Sequence, residues 1–381
     1  MIYLDNAAGS FPKPPQVGKA MAEALDEYGA NPGRGNYALT RKTASMVESA
    51  REKVADLFGM RDSSRVIFTA GATMSLNMAI YGMLKAGDVL LLPGMEHNAV
   101  SRPTADLEDR GIIKVRTLLA DHEGYLRLPE IEKEVSAAKR PALLALTHSS
   151  NVCGAVAPLA KIAALARQKH IPLLVDAAQS GGLIPISMDK TPISLLALAG
   201  HKSLYGPPGI GVLLVSDRVD PRPLITGGTG NRSEERRHPD YYPDHLEAGS
   251  INVPGIAGLA AALDFVKEIG VEELFGKTMR LTDRLAEMAA NTPGIEVYLP
   301  ELPHQRTPVL ALNITKRDPA EAAELLDSRY GICIRSGYHC APAAHRALGT
   351  MEEGCLRFSP GWYNTMDDIE KAGLALAELA R

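Results

Sequence analysis

The stretch VDAAQSGGLIPISMDKTPISLLALAGHKSLYGPPGIGVLLV, residues 175–215, decides the fold of this chain. One apolar run, residues 171–175, ends at Asp176. A second, residues 193–199, ends at Gly200-His201-Lys202, and a third covers residues 210–215. Short apolar runs that end at polar or glycine residues are typical of buried strands in a parallel sheet. We therefore predict three neighbouring parallel strands here.

Asp176 and Lys202 each follow one of these apolar runs. Ligands of open α/β sheets collect outside the carboxyl ends of the strands, so we expect this carboxylate and this amine to face one cavity. Pyridoxal phosphate requires such a pair, a lysine for the Schiff base and an acid beside the ring nitrogen. The alternative is that Asp176 caps a helix and Lys202 is a solvated loop amine, because charged residues mostly stay at the surface.

Length and composition indicate a globular protein with one large or two unequal domains. The 381 residues are 45% hydrophobic and 23% charged, and 41 basic against 45 acidic side chains give a net charge of −4. This balance, without a long basic stripe, argues against a nucleic-acid partner. No apolar run approaches the roughly 20 residues of a membrane helix. The first ten residues are too polar for a signal peptide, and four scattered cysteines predict free thiols in the cytoplasm.

Strand and helix patterns alternate over residues 65–215, which predicts parallel strands joined by right-handed helical crossovers. One of these helices is expected over Leu128–Ala138, and a Gly- and Pro-rich turn is expected over residues 29–37. A long polar segment, residues 227–255, then interrupts the pattern, and loops of this length are often functional or mobile. We predict an α/β fold with a mainly parallel, seven-stranded-type sheet and helices on both faces. The expected large domain covers residues 13–260, and residues 1–12 and 261–381 form a smaller α+β domain.

Gly71-Ala72-Thr73 lies between a predicted strand and a predicted helix. A helix N-terminus offers unpaired N–H groups and a partial positive charge, which suits a phosphate. The alternative is that Thr69 or Thr73 only caps the helix.

Three more polar residues follow predicted strands. His97 begins a helix, where it can stack on an aromatic cofactor and move protons, and Asn151 follows the strand ALLALTH. Gln179 follows Asp176 by three residues and points the same way if that turn opens a helix. Each alone is more often a cap or a surface group, but polar residues at four successive strand ends indicate one site.

The segment IRSGYHCAPAAHRALGT, residues 334–350, holds a second group of reactive side chains. Cys340 lies there in a loop with Arg335 and His339 close by, and nearby positive groups favour the nucleophilic thiolate. A zinc site from Cys333, Cys340, His339 and His345 is a weaker alternative because these spacings lack the usual two-residue ligand pair.

The remaining cysteines, Cys153, Cys333 and Cys355, are expected to be buried and structural, since they fall in or near apolar strands. Arg357 ends a predicted strand and can clamp a carboxylate with its planar fork. The alternative for Arg357 is a surface salt bridge.

These residues resemble the class V, fold-type-I pyridoxal-phosphate enzymes, and within them the cysteine desulfurase and selenocysteine lyase branch. The resemblance covers nearly the whole chain, and its segments occur in family order. They are LDNAAGSFPKP, FTAGATMSLN, MEHNAVSRP, HSSNVCG, VDAAQSGG, GHKSLYGPPGIG, LEAGSINVPG, IRSGYHCAP and RFSPGWYNT.

The resemblance implies a role for each site residue. Lys202 forms the Schiff base, Asp176 keeps the ring nitrogen protonated, and His97 stacks on the ring. The remaining cofactor contacts are Gln179 and Asn151 at the ring oxygen or the substrate carboxylate, Ala72, Thr73 and His201 at the phosphate, and Ser250 at the phosphate of a neighbouring subunit. Arg357 takes the substrate carboxylate and Cys340 accepts sulfur. A homodimer is implied because Ser250 acts across an interface.

Three positions depart from the family pattern. Met74 stands where relatives carry an acid, Ala199 where they carry a phosphate-binding Ser or Thr, and Tyr37 where a His is common near the substrate entrance. The first two imply at most weaker retention of the cofactor, and the third leaves the substrate open.

The expected activity is removal of sulfur from L-cysteine, which gives L-alanine and a Cys340 persulfide suited to thiol exchange with an acceptor protein. The alternatives are a selenocysteine lyase, another β-lyase or a transaminase on the same fold, and a cofactor-free scaffold in sulfur or iron–sulfur assembly. A nucleotide-binding protein is less well supported, because no G-x-G-x-x-G or P-loop follows the first strand.

Overall fold

The computed structural model describes residues 1–32, 35, 37–118, 120–137, 141–300 and 306–381. Its strands are β1 (Ile2–Tyr3), β2 (Val66–Thr69), β3 (Val89–Leu92), β4 (Lys114–Thr117), β5 (Pro141–Thr147), β6 (Leu173–Asp176), β7 (Leu195–Ala199), β8 (Gly211–Val215), β9 (Ile295–Tyr298), β10 (Leu310–Ile314), β11 (Ile332–Cys333), β12 (Arg335–Gly337) and β13 (Cys355–Phe358). Its α-helices are α1 (Pro15–Glu27), α2 (Ala38–Leu57), α3 (Ala72–Met83), α4 (Asn98–Asp109), α5 (Leu128–Ala137), α6 (Leu159–Gln168), α7 (Val253–Ile269), α8 (Val271–Ala290), α9 (Pro319–Tyr330), α10 (Pro342–Leu348) and α11 (Met366–Leu379). The predicted helix end at Ala138, and Gly33, Arg34 and Asn36 of the predicted turn, lie outside the described residues.

A seven-stranded sheet in the order β2-β8-β7-β6-β5-β3-β4 forms the centre of the molecule. Six of these strands run parallel, whereas β8 is antiparallel to both β2 and β7. The mainly parallel α/β fold is therefore confirmed, but the expectation that residues 210–215 form a parallel strand is wrong. The reason is the length of the connection, because a parallel return needs a crossover of a dozen or more residues. Only residues 200–210 separate β7 from β8.

The central strands are buried on both faces, as the apolar runs predict. In β7, Leu196 and Leu198 join the core cluster on one face of the sheet, whereas Leu195 and Ala197 join the cluster on the other. This alternation follows from the two-residue period of a strand. Polar side chains are thereby excluded from the strand interiors and concentrated at the strand ends.

A four-stranded antiparallel sheet, in the order β12-β13-β10-β9, forms a second layer, and β1 pairs with β11. Leu4 packs into an apolar cluster whose other buried members come from residues 281–379. A further cluster joins Val17 and Tyr205 to Phe265 and Leu274, which lie on both sides of the predicted boundary at residue 260. The division into two domains stays a prediction.

Among the described helices, none combines the length and the apolar composition that crossing a membrane would require.

A buried ion pair joins α2 to the segment that leads to Ser250. The guanidinium of Arg51 donates hydrogen bonds to the two carboxylate oxygens of Glu247 at 2.9 and 2.5 Å, and the Phe68 amide donates to the same carboxylate at 2.6 Å. The side chains of Arg51 and Glu247 are only 4% and 7% exposed. Removing Glu247 would therefore leave the buried Arg51 guanidinium with the carboxylate of Glu48, which lies 3.8 Å away and is 52% exposed.

We expect Glu247→Ala to lower the free energy of unfolding by about 3–5 kcal/mol, because the buried Arg51 guanidinium loses both of its hydrogen bonds to a buried carboxylate. Guanidinium chloride unfolding followed by circular dichroism measures this loss. The matched control is Asp264→Ala, which breaks the 2.6 Å pair between Lys53 and Asp264, whose side chains are 35% and 57% exposed. That surface pair should contribute less than about 1 kcal/mol. Equal unfolding midpoints for the two variants would contradict the prediction.

Candidate active site

A cavity of about 680 Å³ lies at the carboxyl ends of the parallel strands. Nine of the site residues predicted from the sequence line it, namely Ala72, Thr73, His97, Asn151, Asp176, Gln179, His201, Lys202 and Arg357. Met74 and Ala199, two of the departures from the family pattern, line it as well. Cys340 and Ser250 are not among its lining residues.

The turn after β7 carries Lys202 into this cavity. The backbone of Gly200 packs directly on Ile210, and the amide of Gly200 donates a hydrogen bond to the carbonyl of Ile210 at 3.1 Å. A Cβ at position 200 would lie 2.8 Å from that carbonyl oxygen, so only glycine fits. The Gly206 amide closes the turn by donating to the Gly200 carbonyl at 2.8 Å. The intervening residues, including Lys202, are thus held at the end of the strand.

Lys202 and Asp176 influence each other's charge. Burial lowers the pKa of Lys202 from its ordinary 10.5 to about 8, although Asp176 raises it. Burial raises the pKa of Asp176, opposed by a hydrogen bond from the Ala178 amide and by the charge of Lys202. Lys202 therefore has a much larger fraction of neutral, nucleophilic amine near neutral pH than a surface lysine has.

His97 is both a helix cap and a cavity residue. Its Nδ1 accepts a hydrogen bond from the Ala99 amide at 3.0 Å at the start of α4. Burial, together with the positive charge of Lys202, lowers the pKa of His97 to about 4. The imidazole is thus neutral at physiological pH, which suits stacking on an aromatic ring.

The N-terminus of α3 opens into the same cavity. Gly71 is the N-cap with φ of 150° and ψ of 170°, a conformation that is essentially restricted to glycine. No side chain among the described residues caps this helix, so the alternative role of Thr69 or Thr73 as its cap is wrong. Thr69 instead contacts the Ser75 hydroxyl at 2.8 Å. The first amide groups of α3 therefore remain available for an anion.

Gln179 lines the cavity without the helix that the sequence suggested. Residues 178–183 form successive turns. The side-chain Nε2 of Gln179 donates a hydrogen bond to the Ala7 carbonyl at 2.9 Å. Ala7 itself lines the cavity, so the N-terminal segment contributes part of the wall.

Four cavity residues each carry a buried polar atom that has no hydrogen-bond partner among the described residues. These atoms are Thr147 Oγ1, Asn151 Oδ1, His201 Nδ1 and Arg357 Nε. Buried polar groups in native proteins are nearly always paired, and an unpaired one destabilises the fold. Their concentration around one cavity indicates that a polar ligand completes it.

Arg357 is fixed by a residue that the sequence reasoning missed. Its Nη2 donates to Asp5 Oδ1 at 2.6 Å and its Nη1 donates to the Asn151 carbonyl at 3.0 Å. Arg357 is only 1% exposed, so its predicted alternative role in a surface salt bridge is wrong. The only available signal for Asp5 was its place directly after the first apolar residues, in LDNAA.

The loop between β12 and α10 holds Cys340 beside the cavity. The Asn98 amide donates to the Cys340 carbonyl at 2.7 Å, and Asn151 Nδ2 donates to the His339 carbonyl at 2.7 Å. His339 and Cys340 have φ of 49° and 58°, a left-handed conformation that is uncommon for residues other than glycine. Arg335 Nη2 lies 3.5 Å from the Cys340 sulfur. The half-buried thiol is therefore held in place next to a positive charge.

Ser250 lies outside the cavity. It is exposed, and its hydroxyl accepts a hydrogen bond from Asn31 Nδ2 at 2.9 Å. Ser250 lines a second cavity of about 360 Å³, which shares Ala70 and Met74 with the first. Tyr37 is also exposed, at the start of α2.

The chain matches known proteins over its full length. The family model of Aminotransferase class-V matches residues 2–372. A probable cysteine desulfurase of Methanothermobacter thermautotrophicus is 35% identical, and the match covers 100% of this chain and 94% of the relative. A probable cysteine desulfurase of Pyrococcus abyssi is 32% identical with the same coverage.

Solved structures show the same similarity. The apo structure of a cysteine desulfurase from Thermococcus onnurineus NA1 superposes with a TM-score of 0.91 at 31% identity, over 100% of this chain and 94% of that one. The cysteine desulfurase CsdA of Escherichia coli, in its S-sulfonic acid form, gives a TM-score of 0.86 at 29% identity, over 99% and 94%.

Proposed function

The chain belongs to the Aminotransferase class-V family, and from this premise we propose that it is a pyridoxal-phosphate-dependent cysteine desulfurase. The observation that carries the proposal is the single cavity that joins Lys202, Asp176 and four unpaired buried polar atoms, with the Cys340 loop beside it. Full-length similarity to proteins named cysteine desulfurase supports the choice of reaction.

The residues around the cavity fit pyridoxal phosphate. Lys202 would hold the cofactor covalently, Asp176 would pair with its ring nitrogen, and neutral His97 would stack on its ring. The amides of Ala72 and Thr73 at the start of α3, with the unpaired His201 Nδ1, would hold the phosphate. When bound, the cofactor supplies an electron sink for the pair released as the substrate Cα loses its proton.

Ala199 offers no hydroxyl to the phosphate, so this chain depends more heavily on backbone amides than relatives with Ser or Thr at that position. Ser250 would supply a further contact to the phosphate of a second copy. Its exposure and its absence from the lining of this chain's own cavity support a homodimer. We propose a cytoplasmic location on the basis of the free cysteines.

The chain's own groups perform the remaining steps. Arg357, held by Asp5, binds the carboxylate of L-cysteine, and Asn151 contacts the substrate nearby. The amine of L-cysteine would displace the Lys202 amine from the cofactor, and the freed, neutral Lys202 amine takes the Cα proton. The Cys340 thiolate, next to Arg335, attacks the substrate sulfur. The carbon–sulfur bond of L-cysteine breaks with its electron pair left on Cβ, and a sulfur–sulfur bond forms on Cys340. The thiol proton of L-cysteine completes the methyl group, the ammonium of Lys202 returns its proton to Cα, and L-alanine leaves behind an ionised Cys340 persulfide.

Incubation of the holoenzyme with L-cysteine tests this proposal. We expect equal amounts of L-alanine and of a Cys340 peptide that is heavier by about 32 Da, the mass of one sulfur atom, and that is reversed by a thiol reductant. A parallel incubation with L-selenocysteine separates the selenocysteine lyase alternative. Alanine from L-selenocysteine only, with no modified Cys340 peptide, would contradict the desulfurase proposal and favour the lyase.

A further inference from the structure

Three buried side chains of the kind that bind metals meet behind the Cys340 loop. His339 precedes Cys340 in that loop, His345 belongs to α10, and Cys355 is the first residue of β13. One ligand atom of each lies within 4.8 Å of the other two, and all three residues are at most 1% exposed. Thiolate ligands select soft ions such as Cu⁺, and imidazole suits both copper and zinc.

The outward nitrogen of each imidazole is already engaged. His339 Nε2 lies 3.4 Å from the Arg335 carbonyl oxygen, and His345 Nδ1 lies 2.7 Å from Thr350 Oγ1. Histidines that bind metals are usually oriented by such a hydrogen bond to their second nitrogen. The remaining nitrogens are His339 Nδ1, which is within hydrogen-bond distance of Cys355 Sγ at 3.9 Å, and His345 Nε2.

His345 Nε2 is an independent sign of a missing ligand. It is buried and has no hydrogen-bond partner among the described residues, in a ring that is fully buried. A buried ring nitrogen of this kind destabilises the fold unless something pairs with it. A metal ion between the two imidazoles and the thiol would accept the lone pair of His345 Nε2.

We propose that His339, His345 and Cys355 bind one soft metal ion, with Cu⁺ preferred to Zn²⁺. Three ligands of the His₂Cys type suit copper, whereas structural zinc almost always takes four. Burial raises the pKa of Cys355 to about 12, so its thiol must release a proton as the metal binds. The resulting thiolate supplies the only negative charge of the three ligands, which neutralises Cu⁺ but leaves Zn²⁺ with one excess positive charge. Arg357, two residues along β13, makes that excess charge unfavourable.

The position of this site has a structural consequence. Its three ligands come from the Cys340 loop, from α10 and from β13, so a bound ion would tie the loop to the smaller sheet. His339 also lines the main cavity, which offers a route for the ion to enter. The inference does not depend on the proposed desulfurase reaction, because none of the three ligands takes part in it.

Titration of the reduced holoenzyme with Cu⁺ under anaerobic conditions, in competition with a chromophoric Cu⁺ chelator, tests the proposal. We expect one tightly bound Cu⁺ per chain, and we expect it to persist in Cys340→Ala. Cys355→Ala and His345→Gln should each weaken binding by at least about 100-fold, since each removes a direct ligand. Zn²⁺, titrated in parallel, should bind the same residues more weakly.

The matched control is Cys153→Ala, which removes a second buried thiol from the same apolar cluster without touching the three ligands. It should bind Cu⁺ like the unmodified protein. Circular dichroism and cofactor absorbance verify that each variant is folded. The Cu⁺ affinities of Cys355→Ala and His345→Gln are measured separately, so each variant tests the proposal by itself. Unchanged affinity in either folded ligand variant, or loss of the bound ion in Cys340→Ala, overturns the proposal. Tighter binding of Zn²⁺ overturns the choice of ion.

Discussion

Lys202→Ala is expected to lower the turnover of L-cysteine by about 10²–10⁴-fold, the range that a positioned general acid–base group contributes. The neutral amine that takes the Cα proton would be lost, and with it the covalent attachment of the cofactor. Steady-state production of alanine measures the first effect. Borohydride reduction followed by mass spectrometry measures the second, and the variant should carry no covalently bound cofactor.

Lys13→Ala is the matched control for this variant. Burial lowers the pKa of Lys13 to about 8, as it does for Lys202, but Lys13 donates its hydrogen bonds to Ser10 Oγ and to the His201 carbonyl. It does not line the cavity. A shifted pKa alone therefore does not distinguish the two lysines, whereas their positions do. An equal loss of turnover in the two variants would remove the special role that we propose for Lys202.

Cys340→Ala is expected to reduce alanine production from L-cysteine by about 10³-fold or more, the scale on which other enzymes lose activity with their nucleophile. Cofactor absorbance at roughly 420 nm, where a Schiff base of this type is expected, should be unchanged. This combination separates loss of the sulfur acceptor from loss of the cofactor site. A steady-state assay of alanine production and an absorption spectrum, both taken on the same preparation, measure these two quantities.

Cys333→Ala serves as the control for the thiol. Cys333 is a half-buried free cysteine at the end of β11, and its sulfur lies 3.7 Å from Asp327 Oδ1. We expect it to retain full activity because it does not line the cavity. Sulfide release from L-cysteine by Cys340→Ala at the rate of the unmodified enzyme would refute the assignment of Cys340.

The strand positions were predictable because each central strand is buried on both faces. Burial on both faces favours a nearly continuous apolar run, and such runs are visible in the sequence at residues 171–175 and at residues 193–199, where only Ser194 is polar. The polar residues that follow each run must lie at the carboxyl end of the strand. Asp176 and Lys202 therefore converge as predicted, and no knowledge of the strand order was needed.

The direction of β8 was not predictable from its own residues, because an apolar run has the same composition whichever way it runs. The short connection after β7 was the usable signal, and its length excludes a helical crossover. The condition that a helix begins at Gln179 was not fulfilled, for a related reason. Spacing of three residues is compatible with a helix and with consecutive turns alike.

The parallel core, the strand ends at which the site lies and the residue types gathered there could all be predicted from the sequence. Those features depend on local periodicity and chain order. Two contacts became visible in the folded chain alone. Asp5 holds Arg357, a partner 352 positions away, and Cys355 lies beside His339 and His345. These contacts depend on strand register and on side-chain packing between distant segments, and no local pattern of residues encodes either one.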